Sequence, residues 1–309
     1  MWRKLEKLCK TLTSMGFSEF RQLMNNRYTF SGHETFPCRN LWLKKGYDFA
    51  VDGDFNAPGA VVSLGVGKNM VSSIRYWLKV FGMTKDDQPT ELARHLFADN
   101  GWDPYCEDEL TLWLLHYQLV KTGEASLYKM LFLDYQRRNR EFCKQQLQNF
   151  VESACKRDGF DVNGGTLEKD INVLLQNYVY PESVTDPEKC ANLLMNLHLI
   201  RFIGKETRIN ERNAEIFGFA DVKPEDIPEE VILYALLEYG RQEKTLSNDV
   251  LADVALSFCM SINTLAKILG HLVQRYPDVI TYTDNSGIRN VHFVDDADSL
   301  RVLDNYYRQ

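Results

Sequence analysis

Two short stretches of this sequence bring acid, base and histidine within a few residues of one another. In one, His33 and Glu34 are adjacent and Arg39 follows shortly after. In the other, Asp103, Glu107, Asp108 and Glu109 lead into an apolar segment that carries His116. Hard divalent cations take oxygen ligands, and Mg2+ is commonly held by one or two carboxylates together with phosphate and water. Asp103 with Glu107 or Asp108 could supply that set, with Lys68 or Arg75 clamping a scissile phosphate beside it. A purely structural reading competes, because carboxylates at a helix start are favoured by the helix dipole alone. His33 likewise has two readings, acting on a substrate or bracing the turn after Gly32. His33-Glu34 is not a zincin signature, since no second histidine stands four residues after the first. His116, among leucines and a tryptophan, suits a core histidine.

The elements that would position these groups are legible around residues 65–81. Gly65-Val66-Gly67 reads as a loosened turn feeding an amphipathic helix whose charges are all positive. Met70, Val71, Ile74, Leu78 and Phe81 recur at helical spacing and predict a buried stripe. Lys68, Ser72, Arg75, Tyr76 and Lys79 remain for the other side, as a phosphate-meeting face or an ordinary solvated one. The free N–H groups and positive end of the helix would add to the lysine and arginine charges. A nucleotide P-loop is excluded by spacing: a single residue separates the glycines, and Asn69 stands where Ser or Thr is required.

With 309 residues, 44% of them apolar and 26% charged, the chain has the composition of a globular protein able to bury a sizeable core. No apolar run reaches the length of a membrane span, and residues 1–24 alternate charge and apolar groups as an amphipathic helix would. Seven cysteines without a Cys-x-x-Cys pair argue against a zinc ribbon or a disulfide scaffold and suit a reducing cytoplasm. Net charge is −7, which alone argues against a nucleic-acid binder. The distribution qualifies this: residues 27–81 hold seven basic against four acidic groups, and residues 226–309 hold seven against thirteen. A polyanion should therefore approach the N-terminal part.

The expected architecture is mostly α with short β hairpins, in several units. After the N-terminal helix of residues 1–26, a basic, winged-helix-like unit spans 27–120, with a short strand at 27–30, a helix resuming near 38–47 and a core helix over 107–120. A helical middle unit follows over 121–225, with Thr166 capping a helix that holds Ile171, Leu174, Leu175 and Tyr178. Its basic run of Arg137, Arg138, Arg140 and Lys144 reads as a solvated face. The acidic unit 226–309 has winged-helix order: helices at 229–240, 247–258 and 262–276, then a hairpin turning at 284–287. Asn263, Lys267, His271, Gln274 and Arg275 would face outward from its third helix, to read DNA or to bind protein.

Three longer runs are distinctive when taken together. They are Tyr28-Thr-Phe-Ser-Gly-His-Glu-Thr-Phe-Pro-Cys-Arg39 with its continuation to Tyr47, residues 64–77, and Gly101-Trp-Asp-Pro-Tyr105 with its continuation through Glu107-Asp108 to His116. They resemble a bacterial family of formerly unknown function, encoded beside sulfur-transfer genes in anti-phage clusters. The resemblance covers most of the chain. It implies a protein that nicks one DNA strand with Mg2+ so that partner enzymes can replace a non-bridging phosphate oxygen by sulfur. Those partners would be a cysteine desulfurase, an ATPase and a PAPS-reductase-like ATP pyrophosphatase.

The motif positions to which the resemblance carries are His33, Glu34, Arg39, Lys68, Asn69, Arg75, Asp103, Glu107 and Asp108. His33, Glu34, Asp103, Glu107 and Asp108 become the candidate catalytic groups, with Asp103 and Glu107 as metal ligands. Arg39, Lys68, Asn69, Ser72, Arg75 and Lys79 become the candidate DNA contacts. The alternatives are a non-catalytic DNA-binding subunit that recruits the sulfur-transfer enzymes, and a transcriptional regulator reading DNA through the C-terminal unit. Oligomeric state is left open, a homodimer included.

Overall fold

The structure is a computed structural model describing residues 28–181, 192–208, 211–241, 244–285, 287–294 and 297–308. The helix expected within residues 1–26 lies outside the described residues. The chain is mostly helical with small antiparallel sheets, as its periodicities predict.

The element around which the rest is built is the helix Glu109–Thr122, in which every residue from Leu110 to Val120 is buried. A helix apolar all round has no face to give to water and so becomes the centre of a core. The elements before it are α1 (Trp42–Asp52), α2 (Ala60–Leu64), α3 (Lys68–Val80), the two-residue strands β1 (Thr84–Lys85) and β2 (Gln88–Pro89), and α4 (Glu91–Phe97). The central helix is α5. Residues 28–30 are not the strand expected there; Thr29 and Ser126 instead exchange two bonds, Thr29 N–H to Ser126 Oγ and Ser126 N–H to Thr29 O.

The middle of the chain differs most from its sequence reading. After α6 (Ser126–Lys129) the helix widens into a π turn, Met130–Tyr135, and a short strand β3 (Glu141–Phe142) precedes α7 (Lys144–Arg157). The next helix, α8 (Gly164–Tyr178), is capped by Asn163, whose side chain accepts from Thr166 N–H, so Thr166 receives the cap rather than supplying it. A hairpin of two nine-residue strands, β4 (Ile200–Arg208) and β5 (Glu211–Phe219), stands where the sequence predicts only helix and pairs with β3 in the order β3-β5-β4. Ile200, Phe202 and Gly204 alternate with exposed Arg201, Ile203 and Lys205, a strand pattern too short and too polar at its tip to stand out.

The last unit has the expected order. Helices α9 (Glu229–Gly240), α10 (Asn248–Ser257) and α11 (Ile262–Arg275) are followed by β7 (Ile280–Asn285) and β8 (Ile288–Phe293), with β6 (Thr245–Leu246) pairing on β8. Ser247 and Ser261 stand at the N-caps of α10 and α11, which cross at 101°. That angle and the four-residue connection are those of a helix-turn-helix. The final helix, α12 (Ser299–Tyr307), returns to the N-terminal half.

One buried cluster runs from Cys38 to Leu303, so the three units share a core. The boundary placed at residue 120 falls inside α5. Lys121 of α5 reaches Glu238 of α9 at 2.6 Å, and Tyr307 of α12 stacks on Trp102 at 5.2 Å. Among the described residues no single helix is long and apolar enough to cross a membrane.

Candidate nucleic-acid interface

Residues 31–36 form a tight loop with unusual backbone: Ser31, Gly32, Glu34 and Thr35 all have φ between +48° and +105°. Side chains rarely tolerate that region, and it persists only where the surroundings over-determine it. His33 supplies the determination. It is buried; its Nδ1 accepts Thr35 N–H at 3.1 Å, which places the ring proton on Nε2, 2.9 Å from Asp170 Oδ1. The second oxygen of Asp170 accepts Ser31 N–H at 2.8 Å. The ring stacks on Trp77 at 6.3 Å and meets Tyr76 edge-on at 5.8 Å. Tyr76 also lies against Gly32, where an added Cβ would come within 2.5 Å of its ring. Of its two sequence readings, His33 therefore takes that of bracing the turn, while Glu34 is exposed at its tip.

The α3 helix buries Val71, Ile74, Trp77 and Leu78 and exposes Lys68, Asn69, Ser72 and Lys79. Gly65, left-handed at φ +58°, ends α2, and Gly67 opens α3 in extended conformation. Met70 and Val71 N–H bond back to Gly67 O, leaving the N–H groups of Lys68 and Asn69 for a ligand. Lys68 with this helix end is the open part of the predicted phosphate surface. Arg75 and Lys79 are already engaged. Arg75 grips Asp87 with two bonds, 2.7 and 2.6 Å, and reaches Asn56 at 3.0 Å; Lys79 lies 2.7 Å from Glu124. Arg75→Ala is accordingly expected to leave nucleic-acid affinity unchanged in an anisotropy titration and to lower stability by at most about 1 kcal/mol, since this ion pair is partly exposed. Lys68→Ala should weaken binding; equal losses from both variants would show that the Arg75–Asp87 pair opens on binding.

The acidic run divides in the same way. Asp103 is buried, and its two oxygens accept Glu107 N–H and Asp108 N–H at 2.9 Å each. Asp108 is the N-cap of α5, which starts at Glu109 rather than 107, accepting from Leu110 N–H at 2.8 Å. Glu107 alone is turned to an open groove of about 1280 Å3, which Arg39, Lys44, Lys45, Asp48 and Tyr105 also line. There Arg39 lies over the Trp42 ring at 5.7 Å, and Lys44 is held by Asp48 at 2.6 Å. Among the described residues no group of three or more His, Cys, Asp or Glu is placed to hold a metal. Of the two predicted ligands, Glu107 lines the groove and Asp103 does not.

His116 is a core residue, with Nε2 donating to Ser257 O at 2.7 Å and Nδ1 accepting from Tyr178 at 2.8 Å. The five described cysteines are free and buried. Burial pushes the thiols of Cys38 and Cys106 well up, Cys259 to about 12 and Cys155 to about 11, so these four are poor nucleophiles. On α11, His271 lies 2.8 Å from Glu229 and Arg275 2.5 Å from Glu230, so two groups of the outward face expected to read DNA or bind protein are already engaged.

The residues missed by sequence reasoning are mostly partners: Asp170, Asp87, Asn56 and Glu124. Asp170 stands 137 positions from His33, and no local pattern marks it.

The fold and its grooves define a mostly α-helical protein that presents basic, partly apolar clefts to solvent. A family model matches residues 30–307, and the chain belongs to that family, DUF4007, described as a protein of unknown function. Two solved structures are similar to it at 25% identity, each alignment covering 91% of this chain and 88% of the other. One is an SspB crystal structure with a TM-score of 0.79, the other a magnesium ion-bound SspB crystal structure with a TM-score of 0.78. No curated protein matches the sequence.

Proposed function

We propose that this protein binds DNA and nicks one strand with Mg2+, in a pathway that places sulfur on the DNA backbone. The observation that carries the reading is the likeness to SspB over nine-tenths of the chain, one of those structures being magnesium-bound. The groove beside Arg39, Lys45 and Glu107 supports it, being open and basic, with Glu107 on its wall and its second carboxylate, Asp48, paired with Lys44.

The donor set fits Mg2+ in one mode only. With Asp103 held by two backbone N–H groups, the described residues do not make a protein cage, but Mg2+ often keeps its waters and binds through one carboxylate and substrate phosphate. Glu107 would be that carboxylate. The ion would polarise the phosphoryl oxygen and offset developing negative charge. Arg39 and Lys45 would hold flanking phosphates, and Lys68 with the α3 N-terminus a further one. Such contacts give affinity without reading sequence, as a nickase tolerant of flanking bases needs. The sulfur-transfer partners named from the resemblance, a cysteine desulfurase, an ATPase and a PAPS-reductase-like ATP pyrophosphatase, would dock on the acidic C-terminal unit.

The capped state of Asp103 and Asp108 favours one second reading, a DNA-binding subunit that recruits those enzymes without cutting. Supercoiled plasmid separates the two. The nickase reading expects conversion to open circle that needs Mg2+, stops with EDTA and is lost in Glu107→Ala with binding retained. Bound but uncut plasmid at every Mg2+ concentration would leave the recruiting reading.

A further inference from the structure

The basic run beginning at Arg137 has no part in the reading above. In the structure Arg137 and Arg138 line a second open groove, of about 1260 Å3, which shares no lining residue with the first. Its walls carry six basic against four acidic residues, on a chain of net charge −7. Four of these cations are neutralised: Lys79 by Glu124, Lys121 by Glu238, Arg137 by Asp253 and Arg157 by Asp158. Among the described residues Lys129 and Arg138 stand in no ion pair within 4 Å; Asp134 and Asp161 on the same walls are likewise unpaired, Asp134 feeling the charge of Lys129.

The same groove is lined by three half-buried rings, Tyr28, Phe30 and Phe160. Tyr28 lies near-parallel to Phe30 at 6.1 Å and tilted against Phe160 at 5.5 Å. Among the described residues they are packed against the core and only half-buried, Tyr28 held by a 2.6 Å bond to Asp158 and the chain beside it by the Thr29–Ser126 exchange. Between Lys129 and Arg137 the helix widens into the π turn Met130–Tyr135, with Gln136 N–H bonding Leu131 O. Such turns recur at functional sites.

We propose that this groove binds a single-stranded nucleic acid, with phosphates at Lys129 and Arg138 and bases stacked on the Tyr28–Phe30–Phe160 cluster. Unpaired cations attract a polyanion. Half-exposed aromatic rings suit unstacked bases, which a duplex keeps covered by their neighbours. An acidic peptide would answer the cations and leave the rings unused. The assignment extends the DNA-binding reading to a second surface, and its test does not depend on nicking.

Fluorescein-labelled oligothymidylate and a blunt duplex of equal length would be titrated with the full chain across a range of salt. Oligothymidylate should bind more tightly than the duplex. Lys129→Ala with Arg138→Ala should weaken it at least tenfold and flatten the log–log salt slope by about 1.4, from about 0.7 for each phosphate contact on a single strand. Phe30→Ala should weaken it roughly tenfold and leave the slope alone, as loss of stacking would. Unchanged affinity and slope in the folded double variant would overturn the assignment. So would oligoglutamate competing as well as oligothymidylate. Groove-dependent oligothymidylate binding without plasmid nicking would support the groove while removing the nickase reading.

Discussion

Asp170→Ala is expected to lower stability by about 2–5 kcal/mol, because it takes the acceptor from two inward-facing donors at once. The carboxylate serves two donors at once, His33 Nε2–H at 2.9 Å and Ser31 N–H at 2.8 Å. His33 is only 3% exposed, so water cannot readily replace the lost acceptor. Each buried donor left unsatisfied costs about 1–3 kcal/mol. The backbone adds to this. Ser31, Glu34 and Thr35 have positive φ, and without the brace fewer contacts offset the strain of holding them there. Asp170→Asn keeps one carbonyl acceptor and should lose roughly half as much. Urea unfolding with an unchanged slope would measure both. A loss below about 1 kcal/mol in Asp170→Ala would mean that the loop is held by Tyr76 and Trp77 packing instead.

Acid should destabilise the protein through His116 by about 3 kcal/mol, over a window set by its burial. The imidazole is fully buried, and desolvation lowers its pKa from 6.5 to about 4 despite the bond to Ser257 O, which acts the other way. The unfolded chain takes up a proton near pH 6.5 and the folded chain only near 4. Between those values the unfolded state binds more protons, so stability rises with pH. The contribution is fully present above pH 6.5, shrinks by about 1.4 kcal/mol per unit as pH falls, and is gone below about 4. His116→Gln should flatten this part of the stability profile. Wild type and variant with parallel profiles from pH 7 to 4.5 would show that other groups set the acid limit.

Much of this fold follows from local pattern. The third unit is legible because Ser247 and Ser261 stand at helix N-caps, Asp284 and Gly287 mark a hairpin turn, and the apolar residues between them keep helical or strand period. The largely apolar run at 110–120 announces the central helix in the same way. The middle of the chain is less legible for a physical reason. A π turn, a two-residue strand and a hairpin with a polar tip are stabilised by what they pack against, so their own residues carry a weak periodic signal.

The candidate site shows the same division. Residue type and spacing suffice to mark Lys68 beside the free N–H groups of a helix start, because that surface is built by one local element. They also suffice to mark Glu107, Asp103 and Asp108 as acidic groups at a helix entry. Which of these remain available to a ligand is decided by tertiary structure. Arg75 is claimed by Asp87, Asp103 by two backbone N–H groups, and His33 by a carboxylate from a helix 137 positions away. Sequence determines which charges the chain carries and where its local elements begin; only the folded chain decides which are neutralised, because ion pairs and buried hydrogen bonds depend on distance in space.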